Sequence, residues 1–321
     1  MKSLRKIAER LIPVLDVFIF LLVYPAAFLL KIVRKGGVHR MPLSKRALLS
    51  VGVFPIRNQY YEPQFDTADL RPGSVVRPLP GIDWNIDGQL ALLEELHYAD
   101  EVRKAFNEQR NRTKDFRFGN GAFEAGDAEF WYSIVRHVKP RNIIEIGSGN
   151  STLVARLAIE ANAAEAAGYA CRHTCIEPYE APWLESTGVS LIRRKVEDVD
   201  QTVFATLGRG DILFIDSTHM IKPQGDVLVE FLEILPKIPS GVIVHVHDIF
   251  SPRGYLDEWV KEKVFFWNEQ FLLEAFLSHN RDWKVLAALN YLHHDYAAQF
   301  KAVCPFVTPQ DEPGSFYLER L

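Results

Sequence analysis

Cysteine is scarce in this 321-residue chain: Cys171, Cys175 and Cys304 are the only three. None sits in a C-x-x-C pair, and so low and odd a count excludes a disulfide framework and points to a reducing compartment. Cys175 falls in an apolar strand pattern and reads as core. There are no internal repeats and no low-complexity tracts, which excludes solenoids and extended disordered regions. A strong charge excess is missing as well. The net charge of −4 is not that of a nucleic-acid binder, and 48% hydrophobic with 24% charged residues describes an ordinary globular chain.

That modest net charge hides an asymmetry. Residues 1–40 carry eight basic residues (Lys2, Arg5, Lys6, Arg10, Lys31, Arg34, Lys35, Arg40) against Glu9 and Asp16, a net of +6. The remainder has 29 basic and 39 acidic residues, a net of −10. A basic head on an acidic body suits contact with an anionic surface such as a membrane. Residues 11–30 are apolar except for Asp16, and the run approaches the length of about 20 residues that a bilayer span requires. Both flanks are basic, so loop charge assigns no orientation. A re-entrant helix kinked at Pro25 would keep both flanks on the cytoplasmic side. The expected location is therefore the cytoplasmic face of a membrane, with residues 11–30 spanning it, re-entering it or lying on it.

The sequence divides into three parts: a basic, hydrophobic membrane-associating segment at 1–40, an irregular and partly helical lead-in at 41–115, and a regular domain at 116–321. Six prolines between Pro42 and Pro80 break the lead-in, and a helix is expected within 82–106. From residue 116 the pattern alternates. Helices are expected at 127–137, 151–167, 224–235 and 258–277. Strands are expected at 142–146, 174–176, 189–193, 211–215, 241–246, 283–288 and 315–321. Such alternation implies an α/β fold with a seven-stranded, mostly parallel sheet and helices on both faces.

The most informative run is NIIEIGSGNST, residues 142–152. An apolar strand ends in a Gly-Ser-Gly turn that opens a helix, so backbone can approach a ligand at the strand's carboxyl end. A dinucleotide loop needs a third glycine and a P-loop needs Lys-Ser/Thr, and both are missing. Glu145, just before the glycines, would repel a pyrophosphate. A carboxylate there suits a ligand carrying an ammonium or sulfonium group.

On these residues the chain resembles the class I S-adenosylmethionine-dependent methyltransferases, with a Rossmann-like fold, and the likeness is to the O-methyltransferases. It extends over residues 116–321. EIGSGNST resembles the motif that wraps the methionine part of the cofactor, which implies cofactor contacts from Glu145, Gly147, Ser148, Gly149 and Thr152. Glu177, in CIEPYE, matches the acidic residue that takes the ribose hydroxyls, and Glu197 lies where the family contacts adenine. FIDSTH and HVHDIF match the ends of the fourth and fifth strands, and GSFYLERL resembles the family's antiparallel last strand.

At those strand ends stand Asp216, His219, His247 and Asp248. Two chemistries suit them. Asp216, Asp248 and His247 would hold Mg²⁺ or another divalent metal, which lowers the pKa of an acceptor hydroxyl. Without a metal, His219 or His247, with Asp216, would serve acid–base catalysis. His247 ahead of Asp248 departs from the acidic pattern of metal-dependent relatives. His245 reads as core, and His293-His294-Asp295 as a surface loop. The aromatics Tyr255, Trp259, Phe265, Phe266, Trp267 and Phe271 read mostly as the packed face of a long helix.

The expected function is methyl transfer to a hydroxyl of a small-molecule, glycan or lipid-linked acceptor at the membrane. A metal-dependent hydroxylase or a non-catalytic binding module on the same fold is the alternative, since fold does not fix chemistry. A dehydrogenase lacks its third glycine. No Asn-Pro-Pro-Tyr-type motif for methylating bases is present, and nucleic acid is not an expected partner. The chain is compatible with a homodimer.

Overall fold

The computed structural model describes residues 2–107, 115–179 and 181–321, the side chains of residues 2–10 excepted. Residues 108–114 of the expected lead-in, and the side chains of Lys2, Arg5, Lys6 and Arg10, lie outside the described residues. The chain forms two compact units, Met1–Arg71 and Pro72–Leu321. The division falls within the segment that the sequence pattern treats as one lead-in.

In the first unit, helix α1 (Lys2–Gly36) runs unbroken through Pro13 and Pro25. An 18-residue window within its Leu11–Gly36 portion has a mean hydropathy of 2.3, and none of that window is buried. A short turn leads to helix α2 (Pro42–Val51), which stops at Gly52 in the left-handed conformation. Among the described residues of this unit, Val38 is the only buried hydrophobic side chain. The described residues of the unit thus form no core of their own, and their apolar surface faces outward.

The second unit is built on alternation along its strands. β1 (Asn142–Ile146) turns Ile143 and Glu145 to one side and Ile144 and Ile146 to the other, as a period of two requires. β2 (Arg172–Ile176), β3 (Ser190–Ile192), β4 (Ile212–Ile215) and β5 (Ile243–Val246) join it in parallel. β6 (Trp283–Ala288) and β7 (Phe316–Arg320) complete a seven-stranded sheet of order β3-β2-β1-β4-β5-β7-β6. β7 is antiparallel to both β5 and β6. This is the mostly parallel α/β sheet, with a reversed last strand, that the sequence implies. The order reverses between β1 and β4, which opens a crevice at their carboxyl ends.

One core lies on each face. Helices α3 (Ile86–Glu95), α4 (Ala99–Asn107), α5 (Asp127–Val138) and α6 (Asn150–Glu165) belong to the side that buries Leu93, Val102, Trp131, Ile143, Val154, Phe214 and Tyr317. The other side buries Ile144, Ile215, Phe231, Val244 and Leu273 beneath α7 (Asp226–Val229) and α8 (Glu269–Leu277). The single helix expected in 82–106 is thus two.

Three expectations change more. The helix expected at 224–235 is one α turn, then a π turn (Glu230–Ile234), then a 3₁₀ turn that contains Pro236. Proline has no N–H and its ring crowds the carbonyl four residues back, so the regular helix cannot run through. The helix expected at 258–277 is broken. A π turn (Glu258–Glu262) ends at Val264 with φ of 55°, and the aromatic run before Asn268 is not helical. Phe265 and Trp267 stack with centroids 4.8 Å apart, and Trp259 meets Trp267 edge-on at 5.1 Å. Aromatic and β-branched residues are weak helix formers, so this packing wins. Finally, His293-His294-Asp295 is not a loop. It ends helix α9 (Leu289–Asp295), and His293 is buried against Phe300 of α10 (Ala297–Val303).

Glu129 caps α5 from within: its carboxylate accepts from Gly126 N at 2.6 Å and Phe306 N at 2.5 Å. Burial outweighs these bonds and pushes its carboxyl up to about 7. A carboxyl raised on folding contributes stability at pH values below its unfolded value, and that contribution is lost as pH rises to about 7. Thermal melts at pH 5 and pH 8 are expected to show the wild type losing on the order of 3 kcal/mol relative to Glu129→Gln over that interval. Parallel pH profiles for the two proteins would contradict this.

Candidate functional site

The two glycines of the turn do different jobs. Gly147 has φ of 76°, and a Cβ there would stand 1.8 Å from the Asp216 carbonyl oxygen. No side chain fits, because the ends of β1 and β4 close on one another at this point. Gly147 N donates to Ile176 O at 3.0 Å, and Asp216 N donates to Ile146 O at 2.8 Å. Gly149 has an extended backbone, and a Cβ there would meet nothing within 4 Å. It borders open space at the start of α6.

That space is a cavity of about 920 Å³. Gly147, Ser148, Gly149, Glu177, Glu197 and Asp216 all line it. Glu177 sits just past β2, where its carboxylate accepts from Tyr179 N at 2.8 Å and lies 3.4 Å from Ser148 N. Ser217, Thr218 and residues 222–226 also line it, as do Ala122 and Phe123 ahead of α5. Tyr179, Trp183 and Lys195 also border the cavity and were not singled out from the sequence. Tyr179 carried a readable signal, standing two residues after Glu177.

Glu145 and Thr152 do not line the cavity. Glu145 is fully buried on the α6 side of the sheet, because strand alternation turns it away from the face that Ile146 occupies. Thr152 donates to its carboxylate, Cys175 Sγ lies 3.4 Å away and His173 Nε2 lies 3.5 Å away. Thr152 Oγ1 in turn accepts from Gly149 N at 3.2 Å. Glu145 and Thr152 therefore brace the glycine turn from behind instead of meeting a ligand.

A second cluster borders Asp216. His219 Nε2 lies 3.3 Å from Asp216 Oδ1 and 3.4 Å from Asp248 Oδ2, while its Nδ1 lies 2.9 Å from Glu269 Oε2. His219 and Asp248 both have positive φ, 57° and 58°, a conformation that costs on the order of 1–3 kcal/mol each and recurs at functional sites. The Trp267 ring covers the imidazole at 4.4 Å. Asp216, His219 and Asp248 each offer a ligand atom, and the three lie within 4.8 Å of one another. His219 thus takes the place expected of His247. His247 is buried, with Nδ1 3.3 Å from Ser315 Oγ, Nε2 3.4 Å from Ala122 O and 3.6 Å from Asp248 Oδ1.

The electrostatics follow from burial and proximity. Burial opposes charge on His219, yet Asp216, Glu269 and Asp248 hold it well above the usual imidazole range. Burial would raise the Asp216 carboxyl, but the His247 and His219 rings hold it below its usual value. For Asp248 burial prevails and its carboxyl is raised. Glu269, the first residue of α8, was missed in the sequence. It lies 50 residues from His219 and was expected mid-helix, where nothing marks a partner.

Residues 144–249 match a family model described as a methyltransferase domain. A protein of Archaeoglobus fulgidus described as uncharacterized is 32% identical over 133 residues, covering 40% of this chain and 58% of that one. The chain thus spans a little over half of that relative's length. Among solved structures, the plantazolicin methyltransferase BpumL in complex with SAH is similar at 13% identity and a TM-score of 0.33, over 72% of this chain and 96% of that one. That likeness is too distant to carry an inference.

Calorimetry with S-adenosylhomocysteine separates the two carboxylates. Glu177→Gln is expected to weaken binding about tenfold or more, as for loss of a charge-assisted pair of hydrogen bonds. Glu145→Gln is expected to lower the melting temperature with a smaller change in affinity, and the reverse ranking would contradict the placement. The glycine turn at the β1 end, Glu177 at the β2 end and Asp216 at the β4 end all lie within residues 144–249, the segment that is similar to a methyltransferase domain.

Proposed function

We propose that this protein transfers a methyl group from S-adenosylmethionine to a hydroxyl of a small-molecule, glycan or lipid-linked acceptor, at the cytoplasmic face of a membrane. The observation that carries the reading is the position of Asp216. It belongs to the wall of the cofactor cavity and, through His219, to the Asp216–His219–Asp248 cluster.

The cavity residues fit the cofactor. Gly149 leaves room at the start of α6, and Glu177 presents a carboxylate able to accept two hydroxyl hydrogen bonds. Glu197 borders the far side of the same space. When bound, S-adenosylmethionine supplies an electrophilic methyl group. What remains for the protein is to orient the acceptor and remove its hydroxyl proton.

The donor set of Asp216, His219 and Asp248 fits a divalent metal. Two carboxylates and an imidazole suit Mg²⁺ or a first-row transition ion, which when bound lowers the pKa of a neighbouring hydroxyl. Glu269 supports this reading. By engaging Nδ1 it turns Nε2 toward both carboxylates, the arrangement by which a carboxylate orients a ligating histidine. Without a metal, the three surrounding carboxylates favour a protonated His219, which is a poor acceptor for a further proton. His247 lies behind Asp248 and supports the cluster instead of facing an acceptor. Manganese titration followed by electron paramagnetic resonance is expected to show one bound ion in the wild type and none in Asp248→Asn. Equal binding by both, or activity indifferent to EDTA, would overturn the metal reading.

The membrane reading is supported by the exposed apolar helix Leu11–Gly36 and by a first unit whose described residues form no core. The three free thiols agree with a reducing side. Deleting residues 1–35 is expected to move the protein from the membrane to the soluble fraction. Continued sedimentation with membranes would contradict the anchor.

A further inference from the structure

The first unit holds a feature that methyl transfer does not use. At the carboxyl end of α1 there is a cleft of about 460 Å³, lined by Arg34, His39, Lys45, Arg57, Tyr61 and Glu62 among others. Three permanent cations face one carboxylate. The arrangement is built, not diffuse. Glu62 accepts from Arg34 Nε at 3.0 Å, from Arg57 Nε at 2.8 Å, from Arg57 N at 2.8 Å and from Gln59 Nε2 at 3.3 Å. Burial pushes the Glu62 carboxyl up, but the bonds from Arg57 and Arg34 hold it down at about 2, so it stays ionised. The Arg34 guanidinium also lies over the Phe54 ring at 5.1 Å. Two guanidinium groups are thereby fixed in place, each with N–H groups beyond those that Glu62 uses.

Position along α1 says what the cleft meets. At 1.5 Å per residue, residues 11–30 cover about 30 Å, the thickness of a bilayer's hydrocarbon core. Arg34 then lies one helical turn further out, at headgroup depth. Phe54 and Tyr61, which line the cleft, are exposed, and so are Leu49, Val51, Val53 and Tyr60 close by in sequence, with Tyr60 and Tyr61 at 91% and 87%. Exposed aromatics beside a basic cluster suit the membrane interface.

We propose that this cleft is a binding site for the phosphate of an anionic lipid headgroup, with Arg34, Lys45 and Arg57 as its cationic wall and Glu62 as the residue that positions the two arginines. The proposal rests on the membrane reading for its source of ligand. The chemistry, a phosphate held by a preformed pair of guanidinium groups, is shared with free phosphate.

The test uses the full-length chain in neutral detergent micelles, titrated separately with phosphatidylglycerol, phosphatidylcholine and inorganic phosphate. Phosphatidylglycerol is expected to saturate at one per chain and to bind at least about tenfold tighter than the other two, a difference of one decade in affinity. Arg57→Gln and Lys45→Gln are expected to weaken it by a similar factor. The deciding variant is Glu62→Gln. It adds one net positive charge, so diffuse attraction predicts tighter binding, whereas a site built on Glu62 predicts weaker binding. Arg57→Lys, which keeps the charge but loses the fork, is expected to weaken binding too, and it decides the matter if Glu62→Gln disturbs the fold. Equal or tighter binding by a folded Glu62→Gln, or by Arg57→Lys, would overturn the proposal. So would equal binding of phosphatidylcholine. Inorganic phosphate binding as tightly as phosphatidylglycerol would overturn the lipid source. The assay contains no membrane, so failure here leaves the anchor standing, and failure of the anchor leaves this binding measurable.

Discussion

The contact between Gly147 and the backbone of Asp216 is the constraint on which the site depends. A side chain at residue 147 would occupy the space of the Asp216 carbonyl oxygen. Because there is none, β1 and β4 end side by side, and the crevice at the reversal of strand order opens beside them. One close approach thus puts the cofactor turn and the first residue of the acidic cluster in contact. Behind the turn, Glu145 and Thr152 tie the α6 start to β1. A buried carboxylate is costly unless it is hydrogen-bonded, so this bracing favours a single arrangement of the loop.

The acidic cluster is fixed from a second direction. The His219 carbonyl accepts from Asn268 N at 2.9 Å and Glu269 N at 3.2 Å, while the His219 ring meets the Glu269 carboxylate. The start of α8 is therefore registered on the loop after β4. This explains why the helix expected across residues 258–277 cannot be continuous. A straight helix would carry Glu269 away from His219, whereas a break at Val264 lets the aromatic run fold over the imidazole and restart at Asn268. The first unit obeys a different rule: with almost nothing buried, its organisation comes from charge pairs around Glu62 and an outward apolar surface.

The sheet was legible in the sequence because β1, β4 and β5 are largely apolar runs closed by a polar or glycine residue, and because helices alternate with strands. Gly147, Gly149, Glu177 and Asp216 were legible because they stand at strand ends, where side-chain direction matters less than position. Glu145 was not legible as a buried brace, because its charge beside the glycines suggests a ligand contact whereas two-residue alternation along β1 turns it under α6. His219, and not His247, is the imidazole grouped with Asp216 and Asp248 for a similar reason. Both follow strands, but only His219 sits on a loop in the left-handed conformation that swings it between two carboxylates. Glu269 had no local signal, since its partner is distant in sequence. The Glu62 cluster was invisible in a proline-broken stretch, where periodicity says nothing about pairing.

The central claim is hydroxyl methylation at this strand-end crevice. Its most direct test is mass spectrometry of cell and membrane extracts incubated with the full-length protein and methyl-labelled S-adenosylmethionine. The account predicts label appearing as a methyl on oxygen in one acceptor class, and disappearing with Asp216→Asn. Label on nitrogen or sulfur, or none despite bound cofactor, would contradict it.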